Sequence, residues 1–313
     1  MRASLLCLAA AVSCARGQLF GLSASVQLTH YDASGTATPI GQPVASEDQA
    51  QNLAALDAAR GVYYFVGFDP SSPTPRLIGL SLSTGAVVSS VALPFVEEAF
   101  VGVGQLLAWA SDLGLAVMTG QTADQTHLIG TVNATSGAWT QVASISRADD
   151  DVLGGSAAYI PGAQTFIFNL GAQNGTVIDN FAVDLKTGSV RNGTNTQMGN
   201  IESMSYNYAD GMVYGLGLHI VGNDWNRSIV VMDPATLEIT EVGQVPGFGI
   251  ESGGIGTVDV AGDSLWWIGM QAPYVANTPL YLIQCSLKDA SVKSSAQICD
   301  SDPQCPWSLQ YRG

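Results

Sequence analysis

The chain has 313 residues, with 11 Lys and Arg against 26 Asp and Glu and a formal charge of −15 at pH 7. This excludes nucleic acid and anionic membranes as principal partners, because both demand clustered Lys and Arg and no such cluster occurs. Apolar residues make up 47% and charged residues only 12%, the balance of a large-cored globular protein and not of a disordered acidic tail.

In chain order, Met1 to Gly17 reads "MRASLLCLAAAVSCARG": an early arginine, an apolar run and small residues, the layout of a secretory signal peptide. Cleavage after Gly17 is expected, with cleavage after Ala15 as the alternative. Loss of Arg2 and Arg16 takes the charge from −15 to −17. No later stretch approaches the roughly 18 unbroken apolar residues of a membrane span. The expectation is a secreted, monomeric single domain over residues 18–313, without a membrane span. Four N-x-S/T sequons, at Asn133, Asn174, Asn192 and Asn226, mark it as a glycoprotein if the source is eukaryotic.

The rest of the chain is a repeat, and a period of this size decides the fold. The hairpin segments "YDASGTA", "LSLSTGAV", "VNATSGAW", "VDLKTGSV", "MDPATLEI" and "CSLKDASV" place Asp32, Ser81, Asn133, Asp184, Asp233 and Ser286 in equivalent positions, 49, 52, 51, 49 and 53 residues apart. A side-chain oxygen there can accept from the backbone two residues on and tighten a turn between antiparallel strands. One period reads as four short strands, such as "NLAALDA", "VYYFVGF", "RLIGLSL" and "AVVSSVAL", and no helix of ordinary length is expected. Four antiparallel strands every 40 to 50 residues specify a β-propeller.

Complete units fall at about 47–96, 97–148, 149–199, 200–247 and 248–299. The front piece, from Gln18, holds the second to fourth strands of a blade, and the tail "CPWSLQYRG" holds only a first. Joined, "SLQYRG" and "QLFGL" parallel "SYNYADG" and "MVYGL" in the fourth unit. The expected architecture is all-β, a six-bladed propeller whose ring is closed by the two termini, which removes free sheet edges.

This six-unit pattern resembles secreted or extracytoplasmic six-bladed propellers, a group that includes strictosidine-synthase-like, gluconolactonase-like and paraoxonase-like proteins. Plant-type glutaminyl cyclases resemble a five-bladed version with a similar D-x-x-T-G turn. The resemblance implies a fold; no family catalytic motif matches residue by residue, and propellers host enzymes, binders and scaffolds alike.

Candidate chemistry is sparse. His30, His127 and His219 lie on three different blades without an H-x-x-x-H, C-x-x-C or G-x-S-x-G context, so surface or strand-edge places are expected for them. Of the tryptophans, Trp109, Trp139, Trp266, Trp267 and Trp307 are assigned mainly to packing, and Trp225, beside a sequon, to an exposed loop. Adjacent Trp266 and Trp267 should face opposite sides of a strand. Asp149, Asp150 and Asp151 are a secondary calcium candidate, although a solvated loop is the commoner meaning of such a run.

Asn52, Gln105, Glu202 and Gln304 each stand nine residues before a turn glycine, and Glu251 recurs in the same "IES" phrase as Glu202. On first strands, these five would form a ring of oxygen ligands near the axis, suited to Ca2+ or a small polar ligand. Such a ring resembles the axial ligands of lactonase-like propellers. Inward polar residues that merely hydrate a channel are the alternative.

Three cysteines follow residue 17. Cys285 and Cys299 sit on consecutive antiparallel strands, at places about 20 Å apart along the ladder, too far for a disulfide. Cys299–Cys305 is therefore expected, with Cys285 a buried free thiol. The functional expectation is a non-catalytic binding or matrix protein for a small polar ligand, carbohydrate or protein partner. The alternative is a metal-dependent hydrolase or lactonase working at the axis.

Overall fold

The computed structural model describes residues 17–23, 25–44, 53–69, 72–94, 106–121, 126–146, 152–153, 155–172, 178–195, 198, 200–221, 224–249, 256–271, 279–299 and 306–312. The chain opens with β1 (Gln18–Ser23), β2 (Leu28–Tyr31) and β3 (Ala37–Ile40). Blade 1 is β4 (Ala54–Asp57), β5 (Val62–Asp69), β6 (Ser72–Ser81) and β7 (Val87–Ala92), and blade 2 is β8 (Leu107–Ala110), β9 (Leu115–Gln121), β10 (Thr126–Val132) and β11 (Trp139–Ser146). In blade 3, β12 (Val152–Leu153) and β13 (Ala157–Ile160) share the innermost place before β14 (Thr165–Ala172), β15 (Ile178–Asp184) and β16 (Val190–Asn195). Blade 4 is β17 (Asn200–Asn207), β18 (Met212–Val221), β19 (Asp224–Met232) and β20 (Ile239–Gln244). In blade 5, β21 (Phe248–Gly249) and β22 (Gly256–Asp259) share the innermost place before β23 (Ser264–Gln271), β24 (Leu280–Ser286) and β25 (Val292–Cys299), and β26 (Pro306–Arg312) ends the chain.

Blade 6 has the order β26-β1-β2-β3. Gln18 pairs with Arg312, Phe20 with Gln310 and Leu22 with Ser308, so the chain's two ends share one sheet as the tail's sequence predicts. The innermost strands neighbour one another around a ring, β4 to β8, β8 to β13, β13 to β17, β17 to β22, β22 to β26 and β26 to β4.

Strand position dictates composition. First strands are enclosed on every side and carry no alternation: β8 reads "LAWA", all buried. Fourth strands keep one face in water, and β25, "VKSSAQIC", alternates between partly buried and exposed positions. Each blade-to-blade interface holds its own apolar cluster. Trp266 packs with Leu19 and Leu309 toward blade 6, and Trp267 with Leu216 and Ile229 toward blade 4. The adjacent pair therefore serves two interfaces, because successive strand residues face opposite ways.

All six predicted turn oxygens do the expected work. Asp32 Oδ1 accepts from the Ser34 and Thr36 amides, Asn133 Oδ1 from Thr135 and Ser136, Asp184 Oδ1 from Lys186 and Thr187, and Asp233 Oδ1 from Ala235. Ser81 and Ser286 accept through Oγ at 3.3 and 3.2 Å. Four of these turns reach positive φ on glycine (Gly35, Gly85, Gly137 and Gly188), but Leu237 (φ 63°) and Ala290 (φ 57°) take the place in blades 4 and 5.

Cys285 pairs with Val292 and Cys299 with Leu280, at opposite ends of the β24–β25 ladder. Cys285 is a buried free cysteine, its sulfur accepting the Trp267 indole N–H at 3.3 Å. Burial pushes its thiol up to about 11. Cys305 lies outside the described residues.

Candidate functional site

First strands carry small residues where they converge. Ala54 and Ala55 of β4, Ala108 of β8, Ala157 and Ala158 of β13 and Gly256 of β22 wall a channel of about 320 Å³ along the axis. Larger apolar groups, Leu107, Met204 and Val258, complete the wall, and the hydroxyls of Ser205 and Thr257 and the amide of Gln310 are its polar lining. Gln310 Nε2 donates to the Ala54 carbonyl at 3.3 Å, linking the closing strand to blade 1 across the channel wall.

At the end where first strands turn into second strands, the channel is rimmed by Trp109, Tyr159, Pro161, Tyr206 and Tyr208. Trp109 is already engaged: Tyr64 stacks on it at 4.7 Å and the Arg60 guanidinium lies 5.9 Å from its ring centroid. Tyr159 donates to Asp112 Oδ1 at 2.6 Å, and Asp112 Oδ2 accepts the Gly162 amide at 2.9 Å. Burial raises the Asp112 carboxyl, but these two hydrogen bonds outweigh it and leave the group below its ordinary value. Burial and the Asp112 contact push the Tyr159 phenol up. Tyr208 is 70% exposed.

Of the five residues expected to ring the axis, Asn52, Gln105, Glu251 and Gln304 lie outside the described residues. Glu202 is described, and it is not part of the channel lining. Its carboxylate meets Arg227 Nη2 at 3.3 Å, on the third strand of the same blade, and Arg227 is almost wholly enclosed. Asn200, Leu218 and Arg227 stand in register, as do Glu202, Leu216 and Ile229; residues two apart share a face, so Glu202 and Arg227 occupy the blade 4 face that packs on blade 5. Burial raises the Glu202 carboxyl despite the arginine. Arg227 Nε and Nη1 have no hydrogen-bond partner. Among the described residues, no group of three or more His, Cys, Asp or Glu could hold a metal ion. Asp149, Asp150 and Asp151 lie outside the described residues.

Of the histidines expected at surface or strand-edge places, His127 departs from the expectation, while His30 and His219 are partly buried. His127 is buried on β10, His30 sits 5.6 Å from the Phe20 ring on β2, and His219 is partly buried on β18. All three are on second or third strands, whose faces pack against the neighbouring blades. His219 Nε2 lies 3.7 Å from Glu241 Oε2, while Ser228 Oγ donates to Glu241 Oε1 at 2.7 Å. Glu241 thus stands between serine and imidazole, an order that gives the histidine no hold on the hydroxyl proton; a nucleophile–base relay needs the base in the middle.

Asn133, Asn192 and Asn226 are exposed, and Asn174 lies outside the described residues. Asn133 Oδ1 serves its turn while its amide nitrogen, the atom a glycan would take, is left for solvent. The side chains of Trp225 and Trp307 are outside the described set.

The sequence reading missed the channel wall and its aromatic rim. The signal was present in three blades as alanine or tyrosine pairs ahead of the turn glycine, in "AALDAARG", "AAYIPG" and "YNYADG".

No family model matches the chain, and no curated protein matches it in sequence. Solved structures do. A chain of a nidogen/laminin complex is 10% identical with a TM-score of 0.64, over 95% of this chain and 98% of that one. TolB from Acinetobacter baumannii is 15% identical with a TM-score of 0.56, over 90% and 65%. A protein named as a candidate 6-phosphogluconolactonase from Bacteroides uniformis is 12% identical with a TM-score of 0.52, over 94% and 98%. At such identities the likeness is one of fold: propellers, among them binders and lactonase-like proteins.

Proposed function

We propose that this chain is an exported, glycosylated propeller that binds a ligand or partner and does not catalyse. The observation that carries this reading is the axial channel, whose described wall is alanine, glycine, leucine, methionine and valine with isolated hydroxyls. Such a wall offers shape and desolvation but no nucleophile held by a base. Export is supported by the leader-like first 17 residues and glycosylation by the exposed Asn133, Asn192 and Asn226. In an oxidising compartment Cys299 would bridge to Cys305 and clip the segment that leads into β26; Cys285 is free among the described cysteines, and peptide mapping that links Cys285 to either would overturn the pairing.

The test is elemental analysis of the purified protein with a screen against esters and lactones. The expected result is no stoichiometric metal and no turnover. Turnover abolished by a chelator would replace this reading with a hydrolase working through calcium at Asn52, Gln105, Glu202, Glu251 and Gln304. That alternative must first release Glu202 from Arg227, whose guanidinium already neutralises the carboxylate.

A further inference from the structure

We infer that the axial channel takes a small amphiphilic cation, an ammonium group carried on an aromatic or aliphatic body; this rests on the binding reading above and deepens it. A volume of about 320 Å³ lies at the lower end of small-molecule sites, and walls of Ala55, Ala108, Ala158 and Leu107 demand an apolar body. Thr257 is 6% exposed and lines this space with Ser205, and none of the described hydrogen bonds engages either hydroxyl. Both hydroxyls open onto the channel and are therefore available to a ligand that reaches them. Gln310 donates an amide hydrogen to the Ala54 carbonyl and keeps its own carbonyl oxygen to accept, and the two hydroxyls accept as well as donate, so an ammonium can be satisfied by all three groups.

The rim selects the same sign of charge. Tyr206 and Tyr208 flank the mouth, and ring faces attract cations; the Arg60 guanidinium over Trp109 shows this attraction at work beside the channel. Asp57, Asp210 and Asp259 stand within two residues of rim or wall residues, and Asp112 is directly hydrogen-bonded to Tyr159 of the rim. The basic groups there are Arg60, which pairs with Asp57 at 3.6 Å, Arg312, and Lys186, whose charge acts on Asp112. Carboxylates thus outnumber cations at the entrance of a chain that carries −15 overall, and this field draws in cations and repels anions.

The test uses three molecules of one shape, phenethylammonium, phenethyl alcohol and 3-phenylpropionate, titrated by calorimetry into the full secreted protein. Phenethylammonium should bind at least about tenfold tighter than the carboxylate, with the alcohol between, and its margin should shrink in salt. Ser205→Leu, which fills the channel from a partly exposed position, should abolish binding of all three at an unchanged melting temperature. Tyr208→Ala should weaken only the ammonium, by about two- to fivefold. Thr257→Val, of equal volume, serves as a second channel variant if Ser205→Leu does not fold, and should weaken ammonium and alcohol together. If the carboxylate binds as well as the ammonium, or the channel variants leave affinity intact, the assignment falls while the binding reading stands. If the folded protein instead turns over esters in a chelator-sensitive way, both fall.

Discussion

Leu237 occupies the space over Gly193: a Cβ placed on the glycine would lie 3.2 Å from that of the leucine. Leu237 belongs to the outer turn of blade 4 and Gly193 to the outer strand of blade 3, and the same contact recurs around the ring. The turn at Ala290 meets Gly243, that at Gly137 meets Val91, and that at Gly35 meets Ala296. Where the turn bears a side chain, at Leu237 and Ala290, the preceding blade supplies glycine; the turn glycines Gly137 and Gly35 meet side chains, whereas Gly85 meets the Ile40 backbone and Gly41, and Gly188 the Val142 backbone.

The blade contact is therefore exchangeable. Gly193→Val should destabilise the fold by about 1–3 kcal/mol through overpacking, and Leu237→Gly should cost a similar amount in lost burial, offset in part by relief of a left-handed leucine. Combined, the two recreate the Gly137–Val91 arrangement, and urea denaturation should show the double variant more stable than the sum of its parts. Strict additivity would mean that the two residues do not share one space.

Ring closure rests on β26. Leu309, fully buried between blades 5 and 6, should cost about 2–5 kcal/mol when replaced by Ala. Deleting residues 306–313 should leave a chain that no longer melts as one cooperative unit, because it exposes the edge strand β1 and the blade 5 face together. Calorimetry that finds the parent transition in the truncated chain would sink this account.

Breaking the Glu202–Arg227 pair from one side leaves a buried charge. Glu202→Gln or Arg227→Met alone should lose about 3–5 kcal/mol, whereas Glu202→Leu with Arg227→Met should recover most of it. Chemical denaturation at pH 7 reads all three, and a double variant as weak as the worse single one would show that the pair itself stabilises blade 4.

The Tyr159–Asp112 bond joins blades 2 and 3 at the rim. Asp112 is held below its ordinary value in the folded state, so its contribution is present above the unfolded carboxyl pKa near 4 and is lost as pH falls through the lower folded value. Tyr159→Phe should cost about 1 kcal/mol at pH 7, and the gap between variant and parent should close as pH falls toward 2. A gap independent of pH would assign the loss to packing alone.

Asn180 is fully buried with neither Oδ1 nor Nδ2 hydrogen-bonded, between Ile178 and Ala182 of the cluster that joins blades 3 and 4. Asn180→Leu should raise the melting temperature, since an enclosed unpaired amide costs about 1–3 kcal/mol. A lower melting temperature would reveal that a trapped water serves the amide.

Most of the fold was legible in residues close together in the chain. Asp32, Ser81, Asn133, Asp184, Asp233 and Ser286 announce their turns because an Asx or Ser turn is closed by the backbone two to four residues on. Gly313 announces closure because the tail matches a first strand and the head supplies the rest. The candidate site was far less legible. Glu202 reads as an axial ligand by its spacing from Gly211, yet its partner Arg227 lies 25 residues away on another strand. Nothing in the local sequence reveals that pairing, which depends on which blade face each residue occupies.

The sequence by itself determined the blade count, the four-strand unit and the joining of the termini, since period, turn chemistry and strand alternation are local properties. Only the tertiary structure decided that alanines from several blades enclose one channel, that Leu237 needs a glycine beneath it on the preceding blade, and that Glu241 stands between Ser228 and His219. These depend on the register and packing of strands distant in the chain. Burial and charge pairing act on whatever side chains meet there, and a one-residue change of register would send each to the opposite face.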